Sequence, residues 1–180
     1  MENTETRKEN KKTKLLILLL LLLTLIAVGV TVWALFFRDT GPVLTPDYAP
    51  QQEEQHAQDI GDDDAEKLEA PQGGGAVGLT YSTEVTIDLS EENATLMFQN
   101  PSRSTSDMVV QIVIQDEIVA QSGKLVPGKE ITTLDLLSGA AKKLAPGGYD
   151  AKFVVLMYDP DTGEKAMLNS EAAISVTVVE

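Results

Sequence analysis

The pattern of apolar and polar positions changes twice along this chain of 180 residues. Residues 15–37, "LLILLLLLLTLIAVGVTVWALFF", hold no charged side chain over 23 positions. At about 1.5 Å per residue, a helix of that length spans roughly 35 Å, enough to cross a hydrocarbon core of about 30 Å. The pattern predicts one transmembrane helix, with Trp33, Phe36 and Phe37 at its interfacial end.

From residue 77 onward the apolar positions recur every second residue. The alternating stretches are "EVTIDL", "ATLMFQN", "DMVVQIVIQ", "YDAKFVVLMYD" and "AAISVTVV", separated by turn signals such as "NPSRS", "VPGKE", "APGG" and "DPDTG". In "DMVVQIVIQ" the alternation assigns Met108, Val110, Ile112 and Ile114 to the core face. About seven strands in roughly 100 residues predict an all-β domain over 77–180, built as a two-sheet antiparallel β-sandwich.

One stretch of the domain departs from this alternation. In "DLLSGAAKKL" the apolar residues recur at helical spacing, at Leu136, Leu137, Ala140, Ala141 and Leu144. We expect a helix of at most two turns there, because Gly139 weakens a helix interior.

Residues 38–76 separate the two apolar patterns. From Asp39 to Ala76 they carry ten acidic residues and a single base, Lys67, with four prolines, and "GGG" at 73–75. Such a segment cannot bury enough apolar surface to offset the entropy of ordering, so it is predicted to be a disordered acidic stalk. His56 is then an exposed linker residue, and "DDD" at 62–64 is a solvated spacer rather than a cation site.

Charge predicts the orientation of the apolar helix. Residues 1–14 form a basic tail, with Arg7 and four lysines, which should remain in the cytoplasm while the rest is extracytoplasmic. A cleaved signal peptide ending at Ala34 is the alternative, but its apolar core would be only about 7–15 residues long. The length favours an uncleaved signal anchor, with the lipid bilayer as the partner of residues 15–37.

Composition excludes several kinds of chemistry. The chain has 28 acidic and 14 basic residues, a net charge of -14, which argues against binding to nucleic acid. It has no cysteine and one histidine, so it can form neither disulfides nor thiolate or multi-histidine metal sites. Neither G-x-S-x-G nor H-E-x-x-H occurs. We therefore expect a non-enzymatic protein without a cofactor.

The segment "DPDTGEK" is the one candidate metal site. Asp159, Asp161 and Glu164 could begin a carboxylate loop for calcium. However, the twelfth position, where such a loop needs a glutamate, is Ser170, and the surrounding pattern predicts strands rather than helices. Pro and Gly at these positions favour a β-turn, with calcium binding as the alternative.

A family resemblance appears at "LAPGGYDAKFVV". Leu144, Gly147 and Tyr149 resemble the L-x-x-G-x-Y stretch before strand F of immunoglobulin-like domains, and "QNPSRS" and "SGKLVPGKEI" resemble bacterial members of that group. The resemblance covers residues 77–180 and implies that Tyr149 forms a tyrosine corner, its hydroxyl bonding to upstream backbone. The sequence departs from antibody-type domains in lacking the cysteine pair, with Ala151 where a cysteine would stand.

Together these features predict a membrane-anchored, bacterial-type surface protein that presents an immunoglobulin-like domain for protein interaction, adhesion or envelope scaffolding. The alternative is an extracytoplasmic module that binds glycans or calcium. The domain has only five aromatic residues for a sugar platform: Tyr81, Phe98, Tyr149, Phe153 and Tyr158.

Overall fold

The computed structural model describes residues 5–36, 44–61, 66–69 and 77–180, with side chains from 13 to 33 in the first of these ranges. Its contacts separate two compact units, Met1–Thr40 and Gly41–Glu180. Each unit is described by itself below.

The first unit is a single helix, α1, from Glu5 to Phe36. Its segment Thr13–Trp33 has a mean hydropathy of 3.1, and none of it is buried against other parts of the protein. By length and composition it can cross a membrane, a property that a signal sequence shares. The predicted apolar helix is confirmed up to Phe36; residue 37 lies outside the described residues.

Helix α1 begins earlier than the apolar run, inside the predicted basic tail. Residues 5–14 are mostly Glu, Lys and Arg, which are good helix formers, so the tail extends the helix. Within the apolar part, the hydroxyls of Thr24 and Thr31 donate to backbone carbonyls of their own helix, each at 2.8 Å. These polar groups are thus satisfied without water, as a lipid environment requires.

The second unit consists of strands joined by turns and one short 3-10 helix, Ala141–Lys143, between β7 and β8. The strands are β1 Gln58–Asp59, β2 Thr80–Tyr81, β3 Glu84–Asp88, β4 Asn93–Asn100, β5 Asp107–Ile114, β6 Glu117–Gln121, β7 Lys129–Asp135, β8 Gly147–Tyr158 and β9 Ser170–Val179. The seven longer strands, β3 to β9, correspond to the predicted seven. Hydrogen bonding follows the order β1-β7-β4-β3-β9-β8-β5-β6, with β2 added beside β4.

This single path of strands folds into two packed layers. Phe98 on β4 and Phe153 on β8 are not on neighbouring strands, yet their rings meet edge to face with centroids 5.7 Å apart. Both side chains are fully buried in a core to which β3 to β9 all contribute. The predicted all-β fold class, with one apolar helix before the strands, is confirmed. The strand pairing is not wholly antiparallel, because β3 runs parallel to β9.

Strand β5 differs from its prediction in being buried on both faces. Met108, Val110, Ile112 and Ile114 face the core as expected. The opposite face belongs to a second, smaller apolar cluster formed by Val109, Val113, Val154, Leu156 and Tyr158. The outer face of β5 and β8 therefore has a cover that the alternation did not indicate.

Ala49 and Ile118 pack against this second cluster. Ala49 belongs to residues 44–61, called the strap from here on. Within the strap, β1 pairs with β7, Tyr48 pairs with Glu164 and Glu53 pairs with Lys124. The described strap thus differs from the predicted disordered stalk, while residues 62–65 and 70–76 lie outside the described residues. The composition of the strap alone predicts disorder. In the structure, the strap is ordered by pairing with backbone groups of the β strands and turns.

The stretch "DLLSGAAKKL" forms a bend and one 3-10 turn rather than a regular helix. Gly139 has φ of 79°, a left-handed conformation that interrupts helical geometry. The limit of two turns is confirmed, and the segment connects β7 to β8.

The tyrosine corner is also confirmed. The Tyr149 hydroxyl donates to the carbonyl of Ala145 at 2.8 Å and accepts from the N–H of the same residue at 3.2 Å. Its ring packs against the main core. One side chain therefore fixes how the chain enters β8.

Candidate interaction surface

The segment "DPDTGEK" forms the turn at the end of β8. The Asp159 carboxylate accepts the N–H groups of Asp161 and Thr162 at 2.9 and 2.8 Å, and Gly163 takes a φ of 72°. These hydrogen bonds, first that from Thr162 and then that from Asp161, lower the pKa of Asp159. The carboxylate is therefore occupied as a turn acceptor, which supports the β-turn interpretation of this segment.

The beginning of the strap is hydrogen-bonded to this turn. The Ala49 N–H donates to the Gly163 carbonyl at 2.8 Å, and the Lys165 N–H donates to the Asp47 carbonyl at 2.9 Å. Just before them, the hydroxyl of Tyr158 donates to the carbonyl of Pro46 at 3.0 Å. The beginning of the strap and the turn thus form one end of the sandwich. This end, residues 44–49 and 157–169, is called the tip from here on.

The tip exposes four large apolar side chains. Met167 is fully exposed, Leu168 is 79% exposed, Tyr48 60% and Leu44 41%. Beside them lies an open depression of about 340 Å³, lined by Asp47, Tyr48, Glu164, Lys165 and Ala166. Exposed apolar groups beside a polar rim are characteristic of surfaces that bind other molecules.

Carboxylates crowd the part of the sheet beneath the strap. Asp107 is 5% exposed, and its nearest cation is Lys124, with the Nζ and Oδ2 atoms 3.9 Å apart. Burial raises the pKa of Asp107; Lys124 opposes this, and Glu53 and Asp159 add to it. Next to it, burial is the main cause that raises the pKa of Tyr158 to about 12. In this region the neutral forms of Asp107 and Tyr158 are therefore favoured over their charged forms.

His56 and Glu54 are polar residues of the strap with specific partners. His56 Nε2 lies 3.2 Å from the Asp135 carboxylate, so it is paired rather than free as the linker prediction supposed. Glu54 is 9% exposed, and its carboxylate accepts the N–H of Gly123 at 2.6 Å and that of His56 at 3.0 Å. Both residues attach the strap to residues 77–180, called the β domain from here on.

Within the described ranges, no three His, Cys, Asp or Glu side chains converge as metal ligands would. The segments "DDD" at 62–64 and "GGG" at 73–75 lie outside those ranges. No catalytic constellation was predicted, and the polar clusters of the described strap and turn serve as backbone acceptors and ion pairs.

Sequence reasoning did not single out the exposed apolar residues of the tip. The available signal was the pair Met167-Leu168, which interrupts an otherwise polar connection between two strands. Tyr48 and Leu44 gave no comparable signal, because their segment was taken as a disordered stalk.

The sequence matches no protein-family model and no curated protein. Among solved structures it is similar to AggA, the major subunit of aggregative adherence fimbriae type I from Escherichia coli, with 10% identity over 62% of this chain and 100% of that chain and a TM-score of 0.31. It is also similar to the CooA pilin subunit of enterotoxigenic Escherichia coli, with 11% identity over 58% and 99% of the two chains and a TM-score of 0.23. At these scores the likeness carries no information about function.

Proposed function

We propose that this protein is a single-pass membrane protein that presents its β domain on the extracytoplasmic side for interaction with another protein, as in adhesion or envelope scaffolding. The observation that carries the proposal is the segment Thr13–Trp33, which has a mean hydropathy of 3.1 and is 0% buried. Leaving such a surface in water costs about 25 cal/mol per Å² of apolar area, whereas a bilayer covers it. The basic tail before it supports a cytoplasmic N-terminus.

The exposed apolar side chains of the tip are the proposed contact residues. Met167 and Leu168 contribute nothing to the core, and a partner that covers them would remove their apolar surface from water. The tip also carries four acidic residues: Asp47, Asp159, Asp161 and Glu164. The complementary partner surface is an apolar pocket flanked by basic side chains.

Site-specific photocrosslinking tests this contact. A photoreactive amino acid replaces Met167 in the full chain, and the same group at Lys142 is the control, since Lys142 is exposed and lies before the opposite end of β8. We expect a discrete crosslinked product from position 167 in intact membranes, and none of that mass from position 142. Equal products from both positions, or none from 167, would contradict the proposed contact.

A further inference from the structure

The outer face of β5 and β8 carries a small apolar cluster, and Ala49 of the strap packs against it. Val109, Val113, Val154, Leu156 and Tyr158 are each at most 9% exposed and form a cluster separate from the main core. In the sheet register Val109 pairs with Leu156 and Val110 with Val155. Val109 therefore belongs to the face beneath the strap, while its neighbour Val110 belongs to the core between the sheets.

The strap contributes little apolar packing of its own. Only one of its residues, Glu54, is buried, and Ala49 is the one strap residue that packs against the outer cluster. Hydrogen bonds and surface pairs fasten it instead, including those of Asp47 and Ala49 to the turn and of Glu54 to Lys124 and Gly123. Segments with few buried apolar contacts and many exposed backbone hydrogen bonds open at low free-energy cost.

Charge weakens the attachment further. The strap carries Asp47, Glu53, Glu54 and Asp59 and has no lysine or arginine. Glu53 raises the pKa of the buried Asp107, which means that the two carboxylates repel each other when both are ionised. The ion pair between Lys129 and Asp59, 2.7 Å apart, is exposed at Asp59 and therefore contributes little.

One glycine sets how closely the strap can approach. A Cβ atom added to Gly123 would lie 3.0 Å from the Cα and N atoms of Glu54 and 3.1 Å from the carbonyl carbon of Glu53. These are backbone atoms, so a side chain at position 123 displaces the strap rather than a flexible group. The absence of a side chain at position 123 thus lets the strap backbone approach this closely.

We infer that the strap is a separately opening segment: it detaches from β5 and β8 while the sandwich stays folded, and its detachment takes Ala49 off the outer apolar cluster. The main core does not include this cluster, and Ala57 is the strap residue that packs against that core, so opening leaves the buried residues of the core packed between the sheets. The inference concerns the β domain alone and stands whether or not the helix anchors the protein in a membrane.

Thiol labelling in the native state tests the inference, because the chain has no cysteine of its own. Val109→Cys and Val110→Cys make the same substitution on adjacent, fully buried positions of opposite faces. We expect the full chain with Val109→Cys to react with a maleimide at least about tenfold faster than that with Val110→Cys, since the first needs only local opening and the second global unfolding. Equal rates would show that the strap opens only with the whole domain and would overturn the inference.

A second substitution tests the strap itself. Gly123→Ala, added to each cysteine variant, should raise the labelling rate of position 109 by about tenfold and leave position 110 unchanged. Gly148→Ala is the matched control, because a Cβ there meets nothing within 4 Å. A Gly123→Ala effect of the same size at both positions would contradict a separate opening.

Hydrogen exchange repeats the test without any substitution. The amides of Ala49 and Glu54, which donate to Gly163 and Lys124, should exchange at least about tenfold faster than the amides of the β5–β8 ladder. Equal protection of the two sets would count against the inference even if a cysteine variant failed to fold.

Discussion

At the scale of single residues, Tyr149 joins the loop before β8 to the sandwich core. Its hydroxyl makes two hydrogen bonds to the backbone of Ala145 while its ring packs against the main core. The loop between the 3-10 helix and β8 is short, residues 144–146, and Leu144 also packs against the main core. The hydroxyl therefore contributes to stability through the position of this loop.

Tyr149→Phe should remove these two hydrogen bonds and keep the ring packing. We expect the free energy of unfolding of the β domain to fall by about 1 kcal/mol, the usual net value of a hydrogen bond. Urea unfolding of the full chain, followed by circular dichroism, measures the change. Tyr48→Phe is the matched control, because Tyr48 is largely exposed, and a loss of equal size in both variants would refute the role of the corner.

Residues whose role depends on local sequence were predictable, and those whose role depends on a distant neighbour were not. Pro160 and Gly163 identified the turn, and the spacing from Leu144 to Tyr149 identified the corner. The pairing of His56 with Asp135 and the burial of Glu54 depend on partners far along the chain. The sequence around His56 and Glu54 does not indicate those partners.

At the scale of elements, the strap and the turn after β8 hold each other. Tyr48 lies opposite Glu164, and the hydrogen bonds on either side of this pair run between their neighbours, Ala49 to Gly163 and Lys165 to Asp47. Such a pair is of the non-hydrogen-bonded type, in which the Cα atoms are about 4.5 Å apart. That separation lies within the range that a disulfide spans.

The double variant Tyr48→Cys with Glu164→Cys should therefore form a disulfide that closes the strap. We expect oxidation to raise the free energy of unfolding by roughly 2–4 kcal/mol and reduction to reverse the gain, because the crosslink restricts the unfolded chain. Denaturation with and without reductant measures this, and each single cysteine variant is a control. Failure of the double variant to crosslink within one chain would contradict the pairing of the strap with the turn.

Alternation of apolar residues located β3, β4, β5, β8 and β9, because each of these strands buries a face in a common core. It could not reveal the outer cover of β5, although "DMVVQIVIQ" is apolar at nearly every position. Such a run is typical of a strand buried on both faces. The strap was taken for a disordered stalk because its own composition says nothing about the surface it meets.

At the scale of the whole molecule, the chain combines an apolar helix with a β domain that has two apolar clusters of its own. The domain carries 15 acidic and 7 basic residues, which keeps it soluble and disfavours anionic surfaces. The proposed function requires the basic tail on the cytoplasmic side of a membrane and the β domain on the extracytoplasmic side.

Labelling of single cysteines on intact bacterial cells tests this claim most directly. Met167→Cys places a thiol on a fully exposed residue of the tip, and Thr4→Cys places one in the basic tail, in a chain with no other cysteine. We expect a membrane-impermeant maleimide to label position 167 on intact cells and position 4 only after the cells are permeabilised. Labelling of position 4 but not of position 167 on intact cells would contradict the proposed orientation and, with it, the presentation of the β domain outside the cell.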